Sequence, residues 1–253
     1  MLKILLERLR QGHRTTAWPD GPPPPLPDRF RGAPTIDPSK CPAGCNACTE
    51  ACPTDCITLE PRPRVDLGRC LFCTDCVDAC PAGAVSHGRE FSLAANARGD
   101  LVTDGRVLAK ARALDEAARR IFGRSLKLRQ VSAGGCNACE ADVNVLGTVV
   151  WDLGRFGVQF VASPRHADGL LVTGAISRNM ELALRKTWEA VPAPKIVVAV
   201  GACAISGGPF LDHPEVLNGA SSVLPVDLYV PGCPPHPLTI LDGLLRLLGR
   251  IEG

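Results

Sequence analysis

Short apolar runs alternate with longer amphipathic stretches along the second half of the chain. The runs are rich in β-branched residues, which is typical of buried parallel strands. They predict strands at 126–131, 158–162, 169–172, 196–200 and 226–230. Apolar residues at helical spacing between them predict helices at 141–153, 177–191 and 237–248. This alternation predicts an α/β fold built on a doubly wound, flavodoxin-like parallel sheet.

The first half of the chain has a different pattern. Residues 1–10 predict a short amphipathic helix, which is marginal alone and needs a surface to pack on. That surface is another subunit, the membrane interface or the rest of its own chain. Residues 15–40 are rich in proline and predict an extended strap. Residues 104–122 predict a helix that connects the two halves, with Gly123 as its stop.

Composition narrows the possible functions. The chain has 253 residues, and its net charge of +2 argues against a nucleic-acid partner. Charged residues interrupt the N-terminal apolar run, so it does not resemble a secretory signal. No run approaches the ~20 apolar residues of a membrane span. We therefore expect the 13 cysteines to be metal ligands in a reducing cytoplasm.

Eight of these cysteines form two similar runs. The second run has the bacterial ferredoxin spacing Cys-x2-Cys-x2-Cys-x3-Cys-Pro, and the first run has one extra residue in its first gap. In two-cluster ferredoxins the fourth cysteine of each run binds the cluster of the other run. We therefore predict cluster 1 on Cys41, Cys45, Cys48 and Cys80. We predict cluster 2 on Cys52, Cys70, Cys73 and Cys76.

Two details of these runs need an interpretation. Gly44 lies in the longer gap and can adopt conformations that absorb the extra residue, so we expect Cys41 to remain a ligand. Cys56 is surplus. We interpret it as a small buried residue, with cluster ligation as the alternative.

Four more cysteines are dispersed over the second half. Cys136 and Cys139 follow the first predicted strand of the sheet, and Cys203 and Cys233 follow two later strands. Parallel strands bring their carboxyl ends to one edge, where ligands collect. We predict that these four hold cluster 3, since four thiolates are the usual complement of an iron–sulfur cluster. A structural zinc ion is the alternative for the thiolates, and a flavin is the alternative ligand of such a sheet.

These patterns divide the chain into four segments. We predict an amphipathic helix and proline-rich strap over 1–35 and a two-cluster ferredoxin-like domain over 36–95. A helical connector over 96–125 and the flavodoxin-like domain over 126–253 follow.

Several motifs carry a family resemblance. GGCNACEAD, SPRHADGLLVTG, GACAISGG and VPGCPPHP resemble the small subunit of membrane-bound, energy-converting nickel–iron hydrogenases of the formate hydrogenlyase type. The same subunit type occurs in respiratory NADH:quinone oxidoreductase. FRGAPTIDPSKC and the double cysteine run resemble the ferredoxin-like subunit of formate hydrogenlyase. The chain looks like a fusion of these two subunits.

The resemblance implies an electron-transfer subunit with three 4Fe–4S clusters and no catalytic residues of its own. It implies that cluster 3 lies beside the nickel–iron site of a hydrogenase large subunit. Further implied partners are membrane-embedded subunits and an upstream electron donor or acceptor protein, at the cytoplasmic face of the membrane.

Two other functions remain open. The first is the equivalent subunit of a quinone-reducing complex; there the first two cysteines are adjacent, whereas Asn137 and Ala138 separate them here. The second is a free-standing ferredoxin with a zinc domain.

Overall fold

A parallel sheet of five strands organises the second half of the chain. The computed structural model describes residues 2–12, 14–104 and 108–251. The strands are β6 (Leu126–Ser132), β7 (Val158–Phe160), β8 (Gly169–Thr173), β9 (Ile196–Val200) and β10 (Leu228–Val230). They lie in the order β10-β9-β8-β6-β7, and every neighbouring pair is parallel. All residues of β8, β9 and β10 are buried, which confirms the predicted parallel α/β sheet.

Four helices cover or flank this sheet. Their bounds are α5 (Ala138–Val145), α6 (Arg178–Ala190), α7 (Ala202–Ser206) and α8 (Pro237–Leu247). Every residue of α8 is buried. Helix α5 ends earlier than the 153 predicted, because the chain turns back after it and the amide of Leu153 donates to the carbonyl of Leu146 at 2.9 Å.

The first half is built from short elements around the two cysteine runs. The helices are α1 (Leu2–Gln11), α2 (Ala47–Glu50) and α3 (Asp75–Asp78). The strands are β1 (Pro34–Ile36), β2 (Ile57–Thr58), β3 (Arg64–Asp66), β4 (Val85–His87) and β5 (Val102–Thr103). Antiparallel pairing joins β1 to β4, and β3 to both β2 and β5. Helices α2 and α3 each follow a cysteine loop, as the sequence repeat suggests.

The predicted helix over 104–122 is largely wrong. The helix α4 covers only Glu116–Phe122, and residues 108–114 have no helical structure; residues 105–107 lie outside the described part of the chain. Asp115 fixes the start of α4, because its side chain accepts a hydrogen bond from the amide of Ala118. The amide of Leu114 instead donates to the carbonyl of Leu247 at the end of α8. Tertiary packing against α8 therefore overrides the local helical pattern.

Helix α1 has no buried residue, and its leucines are 50–78% exposed. The proline-rich strap that follows is held to both halves of the molecule. Arg155 donates to the carbonyls of Thr16 and Trp18 at 2.7 and 2.6 Å, and Arg89 donates to Leu26 and Pro27. In the described part of the chain, no helix is both long and apolar enough to cross a membrane.

The two halves share one hydrophobic core. Leu67, Cys76 and Leu101 from the first half lie in the same buried cluster as Ile205 and Tyr229 from the second. Backbone hydrogen bonds between Ala95 and Tyr229 and a bond from Ser206 Oγ to the carbonyl of Gly68 cross the junction. Strand β5 also pairs with β3 beyond residue 95, so this sheet crosses the boundary that we drew there. The domain boundaries stay a proposal.

Candidate iron–sulfur sites

The four cysteines predicted for cluster 3 meet at the carboxyl edge of the large sheet. Cys136 and Cys139 lie after β6, Cys203 lies in α7 after β9, and Cys233 follows β10. Burial raises the pKa of Cys139, and the charges of the other three cysteines of this set raise it further. Burial and the charges of Cys233 and Cys136 likewise raise the pKa of Cys203 to about 11. The four thiols are thus electrostatic neighbours, and a bound cation would favour their thiolates.

Glycines let the backbone approach two of these sulfurs. Gly201 has a φ of +94°, and a Cβ placed there would lie 2.5 Å from Cys139 Sγ. Gly208 has a φ of +56°, and its Cβ would lie 2.8 Å from Cys203 Sγ. A side chain at either position would push a sulfur out of place. This cradle fits an inorganic cluster on four thiolates.

The buried carboxylate of Glu140 helps to hold the loop that carries Cys136 and Cys139. Glu140 Oε1 accepts hydrogen bonds from Ser132 Oγ at 2.6 Å and from Thr173 Oγ1 at 2.7 Å. Burial raises the pKa of Glu140, but these two hydrogen bonds outweigh it and hold the pKa below its usual value. The carboxylate therefore ties the start of α5 to the ends of β6 and β8 in its charged form.

The cysteines predicted for cluster 1 also come together. Burial raises the pKa of Cys48, and the charges of Cys41, Cys80 and Cys45 raise it further. Cys41 therefore lies with its predicted partners despite the longer gap. Gly44 in that gap has a φ of +73°, and a Cβ added to it would meet nothing within 4 Å, so it absorbs the extra residue as expected. The amide of Ala84 donates to Cys80 Sγ at 3.2 Å and lowers the pKa of that thiol.

The cysteines predicted for cluster 2 form a third group. Burial and the charges of Cys73 and Cys52 raise the pKa of Cys76 to about 11. A hydrogen bond with Cys52 lowers the pKa of the Cys56 thiol, but Cys70 and burial raise it above its usual value, so Cys70 lies near Cys56 in this group. The amide of Phe72 donates to Cys70 Sγ at 3.3 Å. Amide hydrogen bonds to sulfur of this kind tune the potential of a cluster.

The second group of cysteines has electrostatic neighbours in both of the other groups. Cys48 of the first group adds its charge to the rise in the pKa of Cys76 of the second. Cys73 of the second group does the same to Cys233 of the third, behind burial and the charge of Cys136. The second group is therefore the middle one.

Single-ion sites are a separate question from clusters. Across the described ranges, no three His, Cys, Asp or Glu side chains form a group that could hold one metal ion. His236, next to the Cys233 loop, accepts a hydrogen bond from the amide of Leu238 through Nδ1 and so begins α8. Its ring contacts Phe30 and Trp151 edge to face.

Several contacts around these groups were not predicted. The surplus Cys56 is buried, as predicted, but its contact with Cys52 was not: the two Sγ atoms are 3.4 Å apart, and the amide of Cys56 donates to Cys52 Sγ at 3.3 Å. His87 Nε2 lies 2.9 Å from the carbonyl oxygen of Cys73, and its Nδ1 lies 3.1 Å from that of Gly32. The sequence could single out Cys56 because it is a cysteine like the ligands, whereas no local pattern singles out His87.

A cavity of about 290 Å³ also borders Cys233. Phe30 of the strap, Phe72 of the second cysteine loop and Asp142 of α5 line it. It brings together segments that are far apart in sequence.

Comparisons with known proteins agree with this geometry. Residues 136–247 match the family described as NADH ubiquinone oxidoreductase, 20 kDa subunit, and residues 40–84 match the 4Fe–4S dicluster domain. Formate hydrogenlyase subunit 7 of Escherichia coli is 44% identical over 51% of this chain and 51% of its own length. The NADH-quinone oxidoreductase B subunit of Rubrobacter xylanophilus is 48% identical over 47% of each chain.

The present chain thus spans about half the length of these two relatives. The probable membrane-bound hydrogenase subunit mbhJ of Pyrococcus furiosus is 40% identical over 52% of this chain and 79% of its own length. The shared region holds all four cluster-3 cysteines, and the dicluster match holds the two cysteine runs. The chain therefore belongs to the family of the NADH ubiquinone oxidoreductase 20 kDa subunit, as a hydrogenase-like iron–sulfur subunit fused to a 4Fe–4S dicluster domain.

Proposed function

We propose that this chain relays electrons through three 4Fe–4S clusters to or from a nickel–iron site in a partner large subunit of a membrane-bound hydrogenase complex. Each cluster supplies one-electron transfer when it is bound. We assign the ligands as the sequence predicts them, with twelve of the 13 cysteines in use and Cys56 left over. The two matched domains and the convergence of each cysteine group support this assignment.

The order of the groups supports an electron path that runs between cluster 1 and cluster 3 through cluster 2. Cys73 is an electrostatic neighbour of Cys233, and this proximity carries the proposal that electrons pass between cluster 2 and cluster 3. The neighbouring pair Cys48 and Cys76 joins cluster 1 to cluster 2. Cluster 1 is then the exchange point for an upstream donor or acceptor protein.

We propose that the chain performs no bond chemistry itself. Cys136 and Cys233 are exposed at the sheet edge, so a large subunit can cover cluster 3 from outside. The chain's own residues hold the sulfurs: glycines make room for them, and Glu140 fixes the loop that carries two of them. The reacting hydrogen would be bound by the partner.

Location follows from the same proposal. We propose that the chain lies at the cytoplasmic face of the membrane and is held there by membrane-embedded subunits. The exposed leucines of α1 support a docking role for this helix, since a helix of this length needs a surface to persist.

A quinone-reducing complex is the second candidate. It is favoured by the 48% identity to the B subunit of an NADH-quinone oxidoreductase. The two residues between Cys136 and Cys139 favour the hydrogenase arrangement.

The composition of the purified native complex tests the proposal. We expect about 12 irons and as much sulfide per copy of this chain, with nickel in a separate large subunit. About eight irons with one zinc would refute the three-cluster assignment. A large subunit without nickel would refute the hydrogenase assignment and leave the electron relay in place.

A further inference from the structure

A cavity of about 280 Å³ lies at the carboxyl end of α8, on a part of the molecule that no cluster uses. Within the described ranges, its lining includes no acidic residue and four basic ones: Lys110, Arg112, Arg119 and Arg246. The rest of the lining consists of small or apolar residues. The cavity therefore carries an excess of positive charge that the electron-transfer function does not require.

Asp242 pairs with Arg246, but the other nearby carboxylates leave the remaining charge of the cavity in place. Asp115 accepts a hydrogen bond from the amide of Ala118, and Glu116 pairs with Arg120 at 2.6 Å. Throughout the described residues, no carboxylate lies within ion-pair distance of Lys110, Arg112 or Arg119. Three cations thus line one concave surface without an ionic partner among the residues that the structure describes.

The carboxyl end of α8 does not explain the cations either. Basic side chains often satisfy the last carbonyl groups of a helix. Here backbone amides already do so. The carbonyls of Leu244, Leu245, Arg246 and Leu247 accept from the amides of Leu248, Arg250, Gly249 and Leu114, respectively. The side chains are left to face the cavity.

Packing places two of the four basic side chains, Arg246 and Arg119, at the end of α8. Asp242 and Ser92 hold the Arg246 guanidinium at 2.9 and 3.3 Å, so it forms a fixed and nearly buried part of the wall. Gly249 has a φ of +67°, and a Cβ there would lie 3.0 Å from Cδ of Arg119 and 3.2 Å from its Nη1. The missing side chain lets Arg119 lie against the end of α8 beside Arg246.

We propose that this cavity binds a phosphate-type oxyanion, either free phosphate or the headgroup of an anionic lipid. Guanidinium groups match such oxygens with paired, charge-assisted hydrogen bonds. The volume lies at the lower end of the range of ligand pockets, which suits a small charged group. The lack of carboxylates among the described lining residues disfavours a cation, and the basic side chains disfavour an apolar ligand.

Calorimetric titration with inorganic phosphate tests the site on the full chain with its clusters in place, at constant ionic strength in chloride. We expect saturable binding that Lys110→Gln with Arg119→Gln weakens by at least about tenfold, because each charge-assisted hydrogen bond contributes strongly. The matched control, Arg120→Gln with Arg124→Gln, removes the same charge outside the cavity and should bind as the native chain does.

Vesicles identify the source of the oxyanion. One outcome is that the native chain sediments with phosphatidylglycerol vesicles but not with phosphatidylcholine vesicles. If only the cavity variant loses this sedimentation, the site binds a lipid headgroup. Phosphate binding without this vesicle effect would assign it to a free anion. The proposal is wrong if the cavity and control variants bind phosphate and vesicles equally. It is also wrong if the cavity variant binds phosphate and vesicles as the native chain does and loses only its binding to an acidic partner protein.

Discussion

Replacing Gly201 by alanine tests the cradle of cluster 3. The new Cβ would lie 2.5 Å from Cys139 Sγ, at least about 1 Å closer than an ordinary contact of about 3.5–4.0 Å. The backbone there has a φ of +94° and a ψ of +154°, a region that is essentially restricted to glycine and costs other residues about 1–3 kcal/mol. Forcing extra volume into a packed site adds about 1–3 kcal/mol.

The strain and the overlap together reach about 2–6 kcal/mol, which is a large share of the stability of a typical domain. Moving the sulfur relieves the overlap most directly, because Gly201 itself is held by backbone hydrogen bonds to Val230 and Ile205. We therefore expect Gly201→Ala to lose cluster 3 and keep the other two clusters. Anaerobic iron analysis should fall from about 12 to about eight irons per chain.

Gly12 provides a control that has a positive φ but no atom in the place of the new Cβ. Gly12 also has a positive φ, +61°, but nothing lies within 4 Å of the position of its Cβ. Gly12→Ala should therefore keep all its iron. A Gly201→Ala chain with a full complement of iron would refute the cradle, and so would equal iron loss in both variants.

Three further changes test other parts of the account. Cys56→Ala should leave the iron content unchanged; loss of a cluster would make Cys56 a ligand. Deleting residues 1–12 should release the chain from membranes without changing its visible spectrum, whereas a truncated chain that stays in the membrane-bound complex would rule out anchoring by α1. Ser206→Ala should lower the free energy of unfolding by about 1 kcal/mol, since it removes the bond to Gly68 across the junction. Thermal melting checks this, with Ser222→Ala, which loses only a local bond, as the control.

The sheet was predictable because buried parallel strands appear in the sequence as short, continuous runs of apolar, β-branched residues. The strand at 196–200 consists of Val, Ile and Ala alone and is completely buried, and its bounds were predicted without error. The strand predicted at 226–230 begins two residues later, at Leu228, because Asp227 uses its carboxylate to accept from the amide of Val197 instead. Strand ends depend on such side-chain contacts, which the apolar pattern does not contain.

The helix predicted for the connector was largely wrong because its apolar spacing reflects tertiary contacts. Ala111 and Leu114 recur at helical spacing, but they pack in a cluster that includes residues of α8, more than 100 residues later, and the amide of Leu114 donates to the carbonyl of Leu247. A tertiary contact of this kind gives the same spacing without a helix. Local periodicity therefore cannot distinguish the two cases.

The two cysteine runs were predictable because their ligand spacing is a local pattern, and the four dispersed cysteines because each of them follows a predicted strand of one parallel sheet. The proximity of Cys73 to Cys233 was not, because it depends on how the ferredoxin-like part packs on the sheet. The pairing of Cys56 with Cys52 and the basic cavity around Arg246 depend on tertiary structure in the same way.

Hydrogen-driven reduction of the assembled complex tests the central claim most directly. The complex with Cys139→Ala should show clusters 1 and 2 that dithionite reduces and hydrogen does not, as followed by electron paramagnetic resonance. The complex with Cys56→Ala should respond to hydrogen as the native complex does. If hydrogen still reduces clusters 1 and 2 at the native rate when Cys139 is alanine, electrons do not pass through cluster 3 and the proposed relay is wrong.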